Sequence, residues 1–223
     1  FFKEAGYYTG FLGKTHVNPE RLVENFVDYR AIRNANFSKT LSIEEYAKQG
    51  RIVMENATQA KKPFLLIVNY PDAHRKFVNT SKNGFPTVKV ESEIEPFPWI
   101  GSDSAHLRQE LKNYFSCMNR LDEGIGMIIE DLNSLNLREN TLIIYISDHG
   151  ADFPRAKGSI YESGSRIPMI VNFPKSFTMG KVESGMVSTI DILPTMLREA
   201  GITIPNQLPG LPLQDLDQGN REG

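Results

Sequence analysis

The feature that most constrains this chain is an apolar stripe through its middle. Leu107, Leu111, Tyr114, Met118, Leu121, Ile125, Ile128, Leu132 and Leu135 recur every three or four residues. That step puts one apolar side chain per turn on a single helical face, so the segment predicts one long helix laid against a sheet. Strands for such a sheet are close at hand. Phe64-Leu-Leu-Ile-Val68, Leu142-Ile-Ile-Tyr-Ile146 and Ile167-Pro-Met-Ile-Val171 are short continuous apolar runs. Runs of this kind suit strands covered on both faces. A second helix is expected over about 42–60, opened by the capping-box spacing Ser42-Ile-Glu-Glu45 and continued by Ile43, Ala47, Val53 and Ala57. A third is expected over about 188–200, closed by Gly201. Strands alternating with helices predict an α/β fold, a mostly parallel sheet flanked by helices on both faces. Residues 75–103, with Pro86, Pro96 and Pro98, form a long excursion, and such loops are usually functional or mobile.

Charge and cysteine content remove several classes. A formal net charge of -2 gives no argument for a nucleic-acid partner or an anionic membrane surface. No apolar run reaches the roughly 18 residues that a membrane span needs. Cys117 is the only cysteine, so an intrachain disulfide is excluded. The chain opens at Phe1 on structured-looking sequence and closes on a polar stretch from Asp215 to Gly223. The expectation is a piece of a longer protein, with residues 1–223 belonging to one domain. The oligomeric state stays open.

In open α/β sheets, ligands gather beyond the carboxyl ends of the strands. Pro71-Asp-Ala-His74 follows the first apolar run, and Asp148-His149-Gly150 follows the second. Gly13-Lys-Thr-His16 sets Lys14 and His16 two residues apart, on one face if the segment is extended. Lys157 lies in a turn-rich stretch before the third run. Of four histidines, His16, His74 and His149 all fall in these clusters. Asp148 can give a metal a carboxylate oxygen and His149 an imidazole nitrogen. The lysines can hold a tetrahedral oxyanion by charge. Taken singly, each has an ordinary reading: a strand-ending turn, a solvated loop, a turn cap, a surface lysine. Their joint order favours an anion site with a metal.

That order resembles the sulfatases of the alkaline-phosphatase-like superfamily. The segments that carry the likeness are Tyr8-Thr-Gly-Phe-Leu-Gly-Lys-Thr-His16, Asn69-Tyr-Pro-Asp-Ala-His74, Leu121-Asp-Glu-Gly-Ile-Gly126, Tyr145-Ile-Ser-Asp-His-Gly150, Lys157-Gly-Ser-Ile-Tyr-Glu-Ser-Gly-Ser-Arg-Ile-Pro168 and Thr189-Ile-Asp-Ile-Leu-Pro-Thr195. A narrower likeness, to the heparan N-sulfatases, rests on Gly13–Glu20, Asp72-Ala-His-Arg75 and Phe153-Pro154. The resemblance implies a hydrolase of sulfuric esters or sulfamates acting on sulfated carbohydrate. It implies a calcium site, of which Asp148 and His149 form half, and a formylglycine nucleophile made from a cysteine. Lys14 and His16 would hold the formylglycine hydrate, and His74 and Lys157 would bind the sulfate and assist the leaving group. The required cysteine pattern is not in these residues: Cys117 precedes Met-Asn-Arg and sits beside the apolar stripe, where a packing thiol is expected. The chain therefore resembles a catalytic-domain fragment lacking the nucleophile segment and most of the family's C-terminal subdomain. It is itself expected to be inactive, and the parent to be exported to the periplasm, the extracellular space or the lysosome. Two rivals remain: a phosphodiesterase or phosphonate hydrolase of the same superfamily, and a truncated binding protein without turnover.

Overall fold

A computed structural model describes residues 1–15, 17–33, 43–77, 94–177 and 180–218. His16 and the expected helix cap Ser42 lie outside these described residues. Strand β1 (Tyr8–Gly13) runs between β2 (Tyr29–Ala31) and β3 (Phe64–Asn69) and is parallel to both. The long excursion after β3 leads to α3 (Ala105–Ser134), which feeds β4 (Ile143–Ile146). A short turn of helix, α4 (Glu162–Ser165), precedes β5 (Met169–Asn172). Helices α1 (Arg21–Glu24), α2 (Ile43–Gln59) and α5 (Ile192–Glu199) complete the elements that matter here.

The α/β expectation holds, with a parallel sheet and packed helices. Two details differ from the expected strands. The pair β4–β5 is antiparallel, in a sheet of its own. The chain between them runs through loops and the four-residue α4 rather than a full crossover helix. Nor are the apolar strands covered on both faces. Ile67 in β3 is 39% exposed and Ile146 in β4 is 38% exposed. The cause is topological: β3 ends one sheet, β4 begins the other, and both line a cavity of about 2230 Å³ between them. Met118, Leu121, Ile125 and Ile128 of the α3 stripe line the same cavity.

The helices form where the periodicity places them. In α2 the buried residues include Ile43, Tyr46, Ala47, Val53, Met54 and Ala57, which is one helical face. Helix α3 starts because the Ser104 side chain accepts the Leu107 amide at 3.2 Å. It stops because Asn136 turns left-handed (φ 56°) and Leu137 N–H returns to the Leu132 carbonyl at 2.8 Å. Helix α5 begins later than expected, after a 3-10 turn over Thr189–Asp191. There the buried Asp191 carboxylate accepts from the Ser188 amide at 2.7 Å and the Leu211 amide at 2.9 Å. Beside the loops that follow β3 and β4, Phe77, Ile94, Leu111, Cys117 and Phe153 form a packed cluster.

Candidate active site

The carboxyl ends of β1 and β3 are fastened together. Gly13 has φ +89°, and a Cβ there would lie 2.0 Å from the Asn69 carbonyl oxygen, so only glycine permits the approach. Across that contact Lys14 N–H donates to Asn69 O at 3.3 Å, and Asn69 Nδ2 donates to Lys14 O at 2.8 Å. Lys14 thus leaves β1 at a fixed point and lines the cavity.

His74 stands on the loop after β3. Asp72 and Arg120 anchor that loop to α3 through an ion pair of 2.5 Å, with side chains 0% and 5% exposed. Burial pushes the Asp72 carboxyl above the usual range, and the Arg120 guanidinium only partly offsets this. The His74 amide donates to Pro71 O at 2.9 Å, closing the turn. His74 Nδ1 lies 2.5 Å from the Arg75 carbonyl, which can only accept, so in the neutral ring the proton belongs on Nδ1. Nε2 then presents a lone pair towards Lys157 Nζ, 3.5 Å away. Lys157 also donates to Asp152 Oδ2 at 3.3 Å.

Lys157 is held by the loop that follows β4. Gly150 N–H donates to Gly164 O at 3.0 Å, and Lys157 N–H donates to Ala151 O at 3.0 Å. A Cβ on Gly150 would meet Ser163 O at 2.0 Å, so a side chain there would force the two loops apart. Asp148 and His149 sit just before, at the carboxyl end of β4. His149 Nδ1 faces the Gly150 carbonyl at 2.8 Å, which leaves Nε2 open, 3.5 Å from Asp148 Oδ2. The Asp148 side chain is 81% exposed and that of His149 40%. Carboxylate and imidazole are both donor types that a metal can use, and here they lie side by side. They do not make a complete site for calcium, which takes about six to eight oxygens. Among the described residues, no three His, Cys, Asp or Glu side chains lie close enough to share a metal.

Five of the six expected site residues therefore line one cavity: Lys14, His74, Asp148, His149 and Lys157. Contacts within the set join His74 to Lys157 and Asp148 to His149. His16 lies outside the described residues. Cys117 is fully buried in the packed cluster, so the expected packing thiol is what is found. Sequence reading missed Asn69, Arg120 and Asp152. In a sequence, Asp152 is one more loop carboxylate; the one available signal was its place five residues before Lys157 on the same turn-rich loop.

The chain is 26% identical to human N-sulphoglucosamine sulphohydrolase, over 91% of this chain and 44% of that protein. It is 25% identical to an ulvan-active sulfatase of Formosa agariphila, over 96% of this chain and 48% of that protein. It spans about half the length of these curated relatives. Among solved structures, a protein in complex with its substrate D-glucosamine-2-N,6-O-disulfate superposes with TM-score 0.72 at 17% identity, over 96% of this chain and 63% of that one. At this identity, the likeness shows the fold alone. The same holds for the lipoteichoic acid synthase LtaP of Listeria monocytogenes, with TM-score 0.61 at 16% identity, over 95% of this chain and 54% of that one. Fold therefore does not choose the chemistry. The family model for sulfatases matches residues 1–202, nearly the whole chain, and the chain belongs to the sulfatase family.

Proposed function

We propose that residues 1–223 are the greater part of a sulfatase catalytic domain, and that the parent hydrolyses sulfate esters or sulfamates on sulfated sugars. The observation that supports this most is the pairing of Lys157 Nζ with His74 Nε2 at 3.5 Å, in the cavity that Lys14, Asp148 and His149 also line. Family membership and the named relatives, which include an N-sulphoglucosamine sulphohydrolase and an ulvan-active sulfatase, supply the substrate class.

In this reading Lys14 and Lys157 place positive charge against the sulfuryl oxygens, where negative charge grows in the transition state. His74, fixed as the Nδ1–H form by Arg75, shares a proton with Lys157 along the Nε2–Nζ line. The pair delivers that proton to the departing sugar oxygen or nitrogen, which cannot leave readily as an anion. Asp148 and His149 would give calcium two of its donors, the rest coming from outside the described residues. Calcium, when bound, would offset charge on the sulfate. Formylglycine, made from a cysteine outside these residues, would supply the attacking oxygen. Lys14 and His16 would face it.

The test is sulfate release by the full-length parent from an aryl sulfate and from N- and O-sulfated glucosamine, with calcium present. Release from any of these supports the reading. Phosphate release from a diester, with no sulfate from any of them, would replace it with the phosphodiesterase alternative.

A further inference from the structure

Lys157 and His74 stand on different loops, after β4 and after β3. An ammonium facing a neutral ring at 3.5 Å gains little by itself, so the approach must be held from elsewhere. Arg75 holds one side. Its carbonyl faces His74 Nδ1 at 2.5 Å, while its Nε and Nη2 donate to the Asp152 carbonyl at 3.2 and 3.0 Å. Arg75 is itself restrained: its Nη1 pairs with Glu110 on α3, and the rings of Phe77 and Phe153 flank its guanidinium at 4.7 and 5.4 Å. Asp152 holds the other side. One carboxylate oxygen accepts from Lys157 Nζ at 3.3 Å, and the other lies 3.7 Å from Arg75 Nε.

We propose that Asp152 is a positioning residue for the reaction: held in place by Arg75, it keeps the Lys157 ammonium against His74 Nε2 and facing the leaving group. Its use in the reaction rests on the sulfatase reading above; the holding of Lys157 does not. Among the described residues, Lys157 Nζ contacts His74 Nε2 and Asp152 Oδ2, and Arg75 links Asp152 to Glu110 on α3. Without the carboxylate, Lys157 would lose a charged partner and swing away from the imidazole.

The holding can be read in this chain by NMR, with ¹⁵N-labelled lysine and histidine. Asp152→Asn should speed solvent exchange of the Lys157 ammonium protons severalfold, and Asp152→Glu should restore most of the slow exchange. His74 should keep its Nδ1–H form in both variants, because Arg75 sets it. In the unmutated chain the Lys157 ammonium protons should exchange with solvent more slowly than those of Lys48, whose side chain is 69% exposed. That measurement stands even if a variant fails to fold. Exchange equal to that of Lys48, or exchange unchanged in folded Asp152→Asn, overturns the proposal. In the full-length parent, Asp152→Asn should lower kcat more than it raises KM, and Asp152→Glu should restore most of the loss. An unchanged kcat in Asp152→Asn overturns the positioning role. A parent that releases no sulfate at any pH overturns the sulfatase reading, and the NMR result then decides the holding of Lys157 alone.

Discussion

Thr9 and Asp28 show how a single carboxylate can tie a short strand to its sheet. Asp28 Oδ2 accepts from the Thr9 amide at 2.9 Å and from Thr9 Oγ1 at 3.0 Å, and Lys3 Nζ lies 3.1 Å from Oδ1. Burial pushes this carboxyl up, but the donors Thr9 and Lys3 together outweigh burial, and the net position is below the usual carboxylate range. A depressed folded value stabilises the protein above the unfolded carboxylate pKa, about 3.9. The contribution is lost as pH falls through the lower folded value. Asp28→Asn should therefore destabilise the chain by roughly 1–2 kcal/mol at neutral pH. The deficit should shrink in acid, as thermal melts of both proteins across pH would show; a deficit independent of pH would contradict the assignment. Gly13 makes a sharper case. Its left-handed φ and the Asn69 carbonyl leave no room for a methyl group, so Gly13→Ala should cost at least about 1–3 kcal/mol. It should also speed acetylation of Lys14, followed by peptide mass spectrometry. Of the site, Lys14, His74, Asp148, His149 and Lys157 were legible because each stands in a recognisable segment at or beyond a strand end. Arg75 as a clamp and Asp152 as its partner were not, since a loop charge looks the same in sequence whether it is solvated or paired.

Among the elements, α3 links the core to the site. It contributes Leu111 and Cys117 to the cluster with Phe77 and Phe153, Glu110 to Arg75, and Arg120 to the buried Asp72 that begins the His74 loop. Removing one partner of a buried ion pair leaves the other charge without compensation, at about 3–5 kcal/mol. Arg120→Ala should therefore lower stability by that amount in denaturant titration and loosen His74. The double change Asp72→Leu with Arg120→Met should recover part of the stability but not the loop geometry. If Arg120→Ala melts like the unmutated chain, the pair is not buried as described. The periodicity that reveals α2 marks a buried face, whereas Met118, Leu121, Ile125 and Ile128 of the α3 stripe line the cavity. Strands β1 and β2 escape sequence reading for a physical reason. The segment Tyr8-Thr-Gly-Phe-Leu-Gly13 alternates small and polar residues with apolar ones, because α2 and β3 approach its backbone closely. The segment Tyr29–Ala31 is too short to show a pattern. The antiparallel β4–β5 pairing was hidden as well, since an apolar run fixes that a strand forms but not its direction.

At the scale of the whole molecule, the two sheets end on a shared cavity, and the outer edges of β3 and β4 have no strand partner among the described residues. Half-exposed apolar strands of this kind are a liability in isolation. They fit a chain that spans 44% and 48% of two relatives it otherwise matches over most of its own length. The chemistry points the same way. Covalent sulfate transfer needs a nucleophile, and the one cysteine here, Cys117, is fully buried in an apolar cluster and lacks the family's surrounding pattern. The 223-residue chain should therefore release no measurable sulfate from an aryl sulfate or a sulfated glucosamine, even with calcium. The full-length parent should. In that parent His74→Ala and Lys157→Ala should each lower kcat/KM by about 100-fold or more, because both act on charge or a proton that moves in the transition state. Cys117→Ser should leave turnover near that of the parent while lowering thermal stability, since a hydroxyl replaces a thiol in an apolar cluster. Loss of turnover in a folded Cys117→Ser parent would place the nucleophile in α3, and sulfate release by the 223-residue chain would show that the nucleophile lies within it.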